Sequence, residues 1–330
     1  MSRTKYGVVA VGNALVDVLS QVPEEFVNKQ SQEHGMEKGA MTLVEETRAV
    51  NLYSNMPDSL ETSGGSAANT MAGFASLGGT GGFIGKVADD ELGKAFQNDI
   101  RSLGVHYETH PLVIGPSTGR CMILVTPDAE RTMNTFLGAS VELSANDVDR
   151  TLISAAQVTY LEGYLFDRDQ AKEAFVTAAE YAHEAGQRIA LTLSDPFCVD
   201  RHREDFKHLV ENHVDILFAN ESELTSLYQT DNYQEAIDAV KGHVEISALT
   251  RGSQGSVILS EGQQIEIAAA PVEKVIDTTG AGDQYAAGFL YGFTEGKSLE
   301  KCGQLASIAA GEVISHIGPR PQVRLSTLID

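Results

Sequence analysis

Along the chain, short apolar runs ending in turn residues alternate with longer stretches whose apolar positions recur every three or four residues. The first run, Tyr6–Val11, stops at Gly12-Asn13 and predicts a buried strand opening into a loop. From residue 14 to about 41 the pattern is mixed, and it is irregular again over about 111–135. These two segments are expected to supply a small second layer of strands, a lid. Beyond residue 150 the alternation is regular. Residues 158–162 predict a strand, and 167–184 a helix with Ala171, Ala174, Phe175, Ala178 and Ala182 on one face. Strands follow at 189–193 and 216–219, helices at 221–227 and 233–240, and strands at 246–250 and 256–260. Two long helices come last, at about 284–294 and 299–315. Short strands alternating with amphipathic helices imply a doubly wound, mostly parallel α/β sheet with helices on both faces. Such sheets take their ligands at the carboxyl ends of the strands. Residues 1–330 are expected to form one domain with its lid.

Composition fits a globular chain, with 42% of its 330 residues hydrophobic and 21% charged. The formal net charge of −22 argues against nucleic acid or an anionic membrane as partner, since both would be repelled. A few local donors can still hold one phosphate chain on an acidic protein. Cys121, Cys198 and Cys302 are odd in number and far apart, so neither a disulfide framework nor a CxxC site is expected. His202, His208 and His213 lack HxxxH spacing and read as solvated helix and loop residues. Met1-Ser2-Arg3-Thr4-Lys5 leads directly into the first strand rather than into a signal-peptide core, and no stretch approaches the ~18 apolar residues of a membrane span. A cytoplasmic protein, monomer or homodimer, acting on a small molecule is expected.

Candidate chemistry gathers at turns. Asp277-Thr278-Thr279-Gly280-Ala281-Gly282-Asp283 lies between a strand-like run and a helix. Its glycines permit a tight turn whose N–H groups converge on one anion, and the positive end of the helix would point at the same place. Asp283 is either a helix N-cap or a carboxylate that takes the proton of a hydroxyl attacking a γ-phosphate, and both can hold at once. Ser63-Gly64-Gly65-Ser66-Ala67-Ala68-Asn69-Thr70 opens another helix; its glycines allow close approach of a ligand, and Asn69 offers a donor and an acceptor to sugar hydroxyls. Asn13 and Asp17 follow the first strand, where they could grip a diol or serve as ordinary loop residues. Thr250-Arg251-Gly252-Ser253-Gln254-Gly255 is either a phosphate cradle or a hairpin connection. Asn220-Glu221-Ser222-Glu223 is either a helix cap or a holder of magnesium-bound water.

These motifs, Gly64-Gly65 with Asn69, Asn220 with Glu223, and Asp277 through Asp283, resemble those of the ribokinase-like (pfkB) family of carbohydrate and nucleoside kinases, and the resemblance spans nearly the whole chain. It implies a ribokinase-like fold with a β-sheet lid over the sugar site, and an ATP-dependent phosphotransferase. By match, Asp283 would be the base, and the backbone of Gly280, Ala281 and Gly282 the anion hole. Asn220 and Glu223 would organise Mg²⁺ through water, and Thr250, Gly252 and Gly255 would line the ATP side. Asp277 and Thr279 would help bind a monovalent cation such as K⁺. Within the family, the stretches 12–17, 193–197 and 214–221 are similar to adenosine kinases. That implies ribose contacts from Asn13, Asp17, Gly64, Gly65 and Asn69, and a base pocket drawn from Leu15, Phe136, Cys121 and Phe166. A sugar kinase acting on ribose, fructose or a keto-deoxy acid shares the motifs, and Arg131 keeps a carboxylate-bearing acceptor open. A catalytically dead nucleotide-binding protein is the third reading, disfavoured by the intact Asp283 and glycine turn.

Overall fold

Consecutive apolar residues cannot leave one face of a strand to water, and β1 (Tyr6–Val11) is accordingly buried throughout. In chain order it is followed by β2 (Leu15–Gln21), β3 (Met41–Leu43), β4 (Ser59–Gly64), β5 (Gly81–Ile84), β6 (Thr118–Val125) and β7 (Arg131–Gly138). Then come β8 (Ala156–Glu162), β9 (Arg188–Thr192), β10 (Ile216–Asn220), β11 (Ile246–Thr250), β12 (Ser256–Ser260) and β13 (Gln263–Ile267). The structure, a computed structural model, describes residues 4–128 and 130–329. Met1–Arg3 of the N-terminal reading, and residue 129 of the second lid segment, lie outside the described residues.

Eight strands form one sheet in the order β13-β12-β11-β10-β9-β8-β1-β5. From β5 to β11 every pairing is parallel, and β12 and β13 are added antiparallel at the edge. Helices cover both faces, giving two core layers. The helix Asp169–Glu184 buries Ala171, Ala174, Phe175, Ala178 and Ala182, as its periodicity predicts. The helix expected from residue 284 begins at Ala281, with Gly280 as its cap at φ 78°. Asp283 is therefore not the N-cap but sits inside the first turn.

The second sheet has five strands in the order β3-β7-β6-β2-β4. Segments 14–41 and 111–135 supply β2 and β6 whole, the start of β3 and most of β7. The first also holds a helix, Glu24–His34, and the polar edge strand β4 comes from outside both segments. One face of this sheet packs Met122, Leu124 and Phe136 against Val27, Ala49 and Leu52 of the helices Glu24–His34 and Glu46–Asn55. Its other face looks onto the carboxyl ends of the large sheet. Among the described residues no helix is long and apolar enough to cross a membrane.

Candidate active site

Between the carboxyl ends of the large sheet and the uncovered face of the small one lies a cavity of about 590 Å³. Residues at or just beyond the ends of β1, β8, β9, β10 and β11 reach it: Asn13, Glu162, Ser194, Asn220 and Thr250. The turn 278–283 closes it on a further side. Two glycines are required by backbone shape. Gly280 adopts the left-handed region, and a Cβ there would stand 2.6 Å from Pro319 Cα and O; Gly65 has φ 97° and packs against the carbonyl of Asn13. The Ala281 amide donates to Thr278 O at 3.2 Å, so it is not available to an anion. The next amides, of Gly282 and Asp283, belong to the first helical turn, where N–H groups lack intrahelical acceptors. Nothing stands within 4 Å of where a Gly282 side chain would begin, which leaves that approach open.

Asp283 accepts a hydrogen bond from Ser66 Oγ at 2.6 Å and one from Asn69 Nδ2 at 3.3 Å, both from the helix Ser66–Ser76. Burial pushes its carboxyl up to about 6, reinforced by the charge of Asp17 and opposed by those two donors. Asp17 itself is raised to about 6 by burial, against the positive charges of Arg320 and Arg131. Glu162, at the end of β8, accepts from Asn13 Nδ2 at 2.7 Å and from the Ala67 amide at 2.8 Å. Burial lifts it to about 7 despite those bonds. Ser140 Oγ donates to Asn13 Oδ1 at 2.9 Å, so the Asn13 amide is fixed from both ends.

Asn220 and Glu223 form a capping box at the helix Glu221–Tyr228, with Glu223 Oε1 and Oε2 accepting from Asn220 Nδ2 (2.6 Å) and N (2.9 Å). Glu223 is buried, and burial raises it to about 7, with the charge of Asp195 adding to the rise. No group of three or more metal-ligating side chains occurs among the described residues. Mg²⁺ needs none, since it keeps waters and is held by one or two carboxylates together with substrate phosphates. One buried acid facing the cavity fits that pattern. K⁺ at Asp277 and Thr279 does not fit. Asp277 Oδ1 accepts from Thr279 N and Oγ1, Oδ2 accepts from Gly318 N, and Arg131 Nη1 stands 2.7 Å from Oδ2 where a cation would sit. Burial alone would raise Asp277, but these partners outweigh it and hold the carboxyl below its usual value. The Arg131–Asp277 contact is an ion pair without an aligned hydrogen bond, and the guanidinium nitrogens find no acceptor among the described residues.

Of the sequence candidates, Asn13, Leu15, Asp17, Gly65, Asn69, Cys121, Asn220, Glu223, Thr250 and the turn 278–283 line the one cavity. Gly64 lies against the Asp17 carboxylate, where any side chain would collide. Phe136 is a correction: on β7 it belongs to the opposite face, in the helix-backed core, while Met133, Thr135 and Leu137 face the cavity. Phe166 is another, packed in the large core with its ring tilted against those of Phe175 and Phe206. Gly252 lines a second, adjoining hollow of about 430 Å³ with Asn220 and Arg251. Gly255 shapes the β11–β12 hairpin instead, packed on the Ile267 carbonyl. Sequence reading missed Ser66, Glu162, Gln284 and Arg320. Glu162 had a signal, an acid at the carboxyl end of an apolar strand in such a sheet.

Comparisons agree with this geometry. Residues 42–324 match the model of the pfkB family carbohydrate kinases. The crystal structures of an adenosine kinase from Sinorhizobium meliloti and of a probable sugar kinase protein from Rhizobium etli CFN 42 are each 48% identical to this chain, cover 98% of both chains and superpose with TM-score 0.89. The adenosine kinase of Saccharomyces cerevisiae is 26% identical over 94% of this chain and 95% of its own. The protein thus belongs to the pfkB family of carbohydrate kinases, as an ATP-dependent enzyme that phosphorylates a nucleoside or a sugar.

Proposed function

We propose that the acceptor is adenosine, phosphorylated on its 5′-hydroxymethyl group to give AMP. The observation that carries this reading is the division of the cavity lining into a polar end and an apolar stretch. Asn13, Asp17 and Asn69 offer polar groups suited to a ribose diol, while Leu15, Cys121, Ile123, Met133 and Leu137 roof the same space with apolar surface. A free sugar would leave that roof facing hydroxyls, whereas a nucleobase matches it. The names borne by the similar Sinorhizobium meliloti and yeast proteins support the same choice.

In this reading Asp283 accepts the 5′-hydroxyl proton as that oxygen bonds to the γ-phosphorus and ADP departs. The amides of Gly282 and Asp283, at the positive end of the helix Ala281–Thr294, receive the charge on the transferring group. Asn13, Asp17, Gly65 and Asn69 hold the ribose, and Thr250 and Gly252 lie on the nucleotide side. Glu223 and Asn220 would hold Mg²⁺ through water; when bound, it neutralises phosphate charge. The small sheet serves as the lid that excludes water, and Arg131 lends a positive charge beside Asp277. We place the reaction in the cytoplasm, where ATP is available.

A panel of adenosine, inosine, ribose, fructose and 2-keto-3-deoxygluconate with Mg-ATP tests the assignment. Adenosine should show the highest kcat/KM, and preference for a free sugar would overturn it. Preference for the keto-deoxy acid would instead point to Arg131 as a carboxylate partner.

A further inference from the structure

The segment 315–325, after the last long helix (Leu299–Val313), reaches the cavity at Pro319 and touches both the turn at Asp277 and Asn69. Gly318 N donates to Asp277, Pro319 packs on Gly280, and the Pro319 carbonyl accepts from Gln284 Nε2 at 3.0 Å. Arg320 goes further. Its Nε donates to Asn69 Oδ1 at 3.3 Å, Nη1 to Asp99 Oδ2 at 2.8 Å, and Nη2 to the carbonyl and Oγ of Ser63. Asp99, on the helix Glu91–Ser102, also accepts from Ser63 N and Oγ. Burial would raise the Asp99 carboxyl, but the bonds from Ser63 and Arg320 prevail and hold it below its usual value.

We infer that Arg320, anchored by Asp99, is a positioning residue that orients Asn69 and sets the charge balance at the acceptor end of the site, resting on the phosphotransferase reading above. A guanidinium can only donate, so the Asn69 atom facing it must be the carbonyl oxygen, which turns the amide NH₂ toward Asp283. Gln284 Nε2, bonded to the Asn69 carbonyl at 2.9 Å, fixes the backbone of the same residue. Through Ser63 the guanidinium also pins the residue before Gly64-Gly65, hence the turn on which Asp17 and Asn13 pack. The charged and titratable groups around Asp17 are Arg320 from this segment, Arg131 from β7, Cys121 from β6 and Asp283 from the helix Ala281–Thr294. Removing Arg320 therefore leaves Arg131, already paired with Asp277, as the guanidinium facing Asp17 and Asp283.

The test is steady-state kinetics of Arg320→Met and Arg320→Lys over pH 5 to 9, with melting curves to confirm folding. For Arg320→Met, kcat/KM for the acceptor should fall about 50-fold, mostly in acceptor KM, with ATP KM within about 2-fold. The acidic limb of its pH profile should move up by about one pH unit, because a lost positive charge favours protonated Asp17. Arg320→Lys keeps the charge without the fork, so its limb should stay in place while acceptor KM rises about 5-fold. A merely structural arginine would lower melting temperature and active fraction without moving the limb or separating the two KM values. An active wild type whose variants keep acceptor KM and the acid limb unchanged overturns the inference alone. A wild type that phosphorylates no acceptor overturns the functional reading and the inference together.

Discussion

The floor and the roof of the cavity are built by different means. The floor is a row of strand ends and one glycine turn, in which Gly280 is fixed by φ and by Pro319, and Asp283 by Ser66 and Asn69. Each part is specified by a short stretch of chain, because strand ends and helix starts expose backbone groups in a set direction. The roof is one face of a five-stranded sheet, and its residues are alternate positions of strands drawn from separate segments. On the proposed reading, phosphoryl-transfer chemistry thus sits in local motifs, whereas acceptor choice sits in register, where a slip of one residue replaces a pocket wall with a core residue.

Asp283 is the test of the floor. Asp283→Asn should lower kcat by about 10²–10⁴-fold with little change in either KM, the signature of a lost base. Retention of activity within about 10-fold, measured by product formation with the best acceptor, would remove Asp283 from that role. Neighbouring residues on β7 test the roof. Phe136→Ala should cost about 3–5 kcal/mol of stability by denaturant titration, since its ring fills the helix-backed core. Leu137→Ala, half-buried and facing the cavity, should instead raise acceptor KM about 10-fold and leave ATP KM unchanged. Equal effects of the two on stability and KM would mean that the sheet does not divide its faces in this way.

A change of pH should act more weakly than these substitutions. Asp17 and Asp283, raised to about 6, and Glu162 and Glu223, raised to about 7, all hold protons more tightly folded than unfolded. Between the unfolded carboxyl range near ~4 and these values, the folded chain carries the extra protons, so stability falls as pH rises. Asp99 and Asp277, held below their usual values, work in the other direction only when the medium is more acidic than that window. The melting temperature should be higher at pH 6 than at pH 8 by about 3 °C. A flat or reversed slope would show that the carboxylates lining the cavity ionise freely.

The same division decides what could be read from sequence. The elements 233–240, 246–250 and 256–260 occur with the bounds their patterns predict, because each is a compact periodic run between clear turn residues. Asn220 with Glu223 and the turn 277–283 are legible for the same reason. The strand β4 was not, since Ser-Leu-Glu-Thr-Ser-Gly at an exposed edge lacks the apolar alternation that marks a strand. Phe136 lies on the face opposite the base pocket that the resemblance implies for it, because likeness to a family does not by itself give strand register. Arg320 had no local sign, since its partners Ser63, Asn69 and Asp99 lie more than two hundred residues away.

Those separations bear on how the molecule comes into being. The bonds joining Asp283 to Ser66, Asn69 to Asp283 and Arg320 to Asn69 span 217, 214 and 251 residues. Each closes a loop of most of the chain, so each waits until the layers it joins have been laid down. During refolding, helix and strand content should return first and the ability to transfer phosphate last.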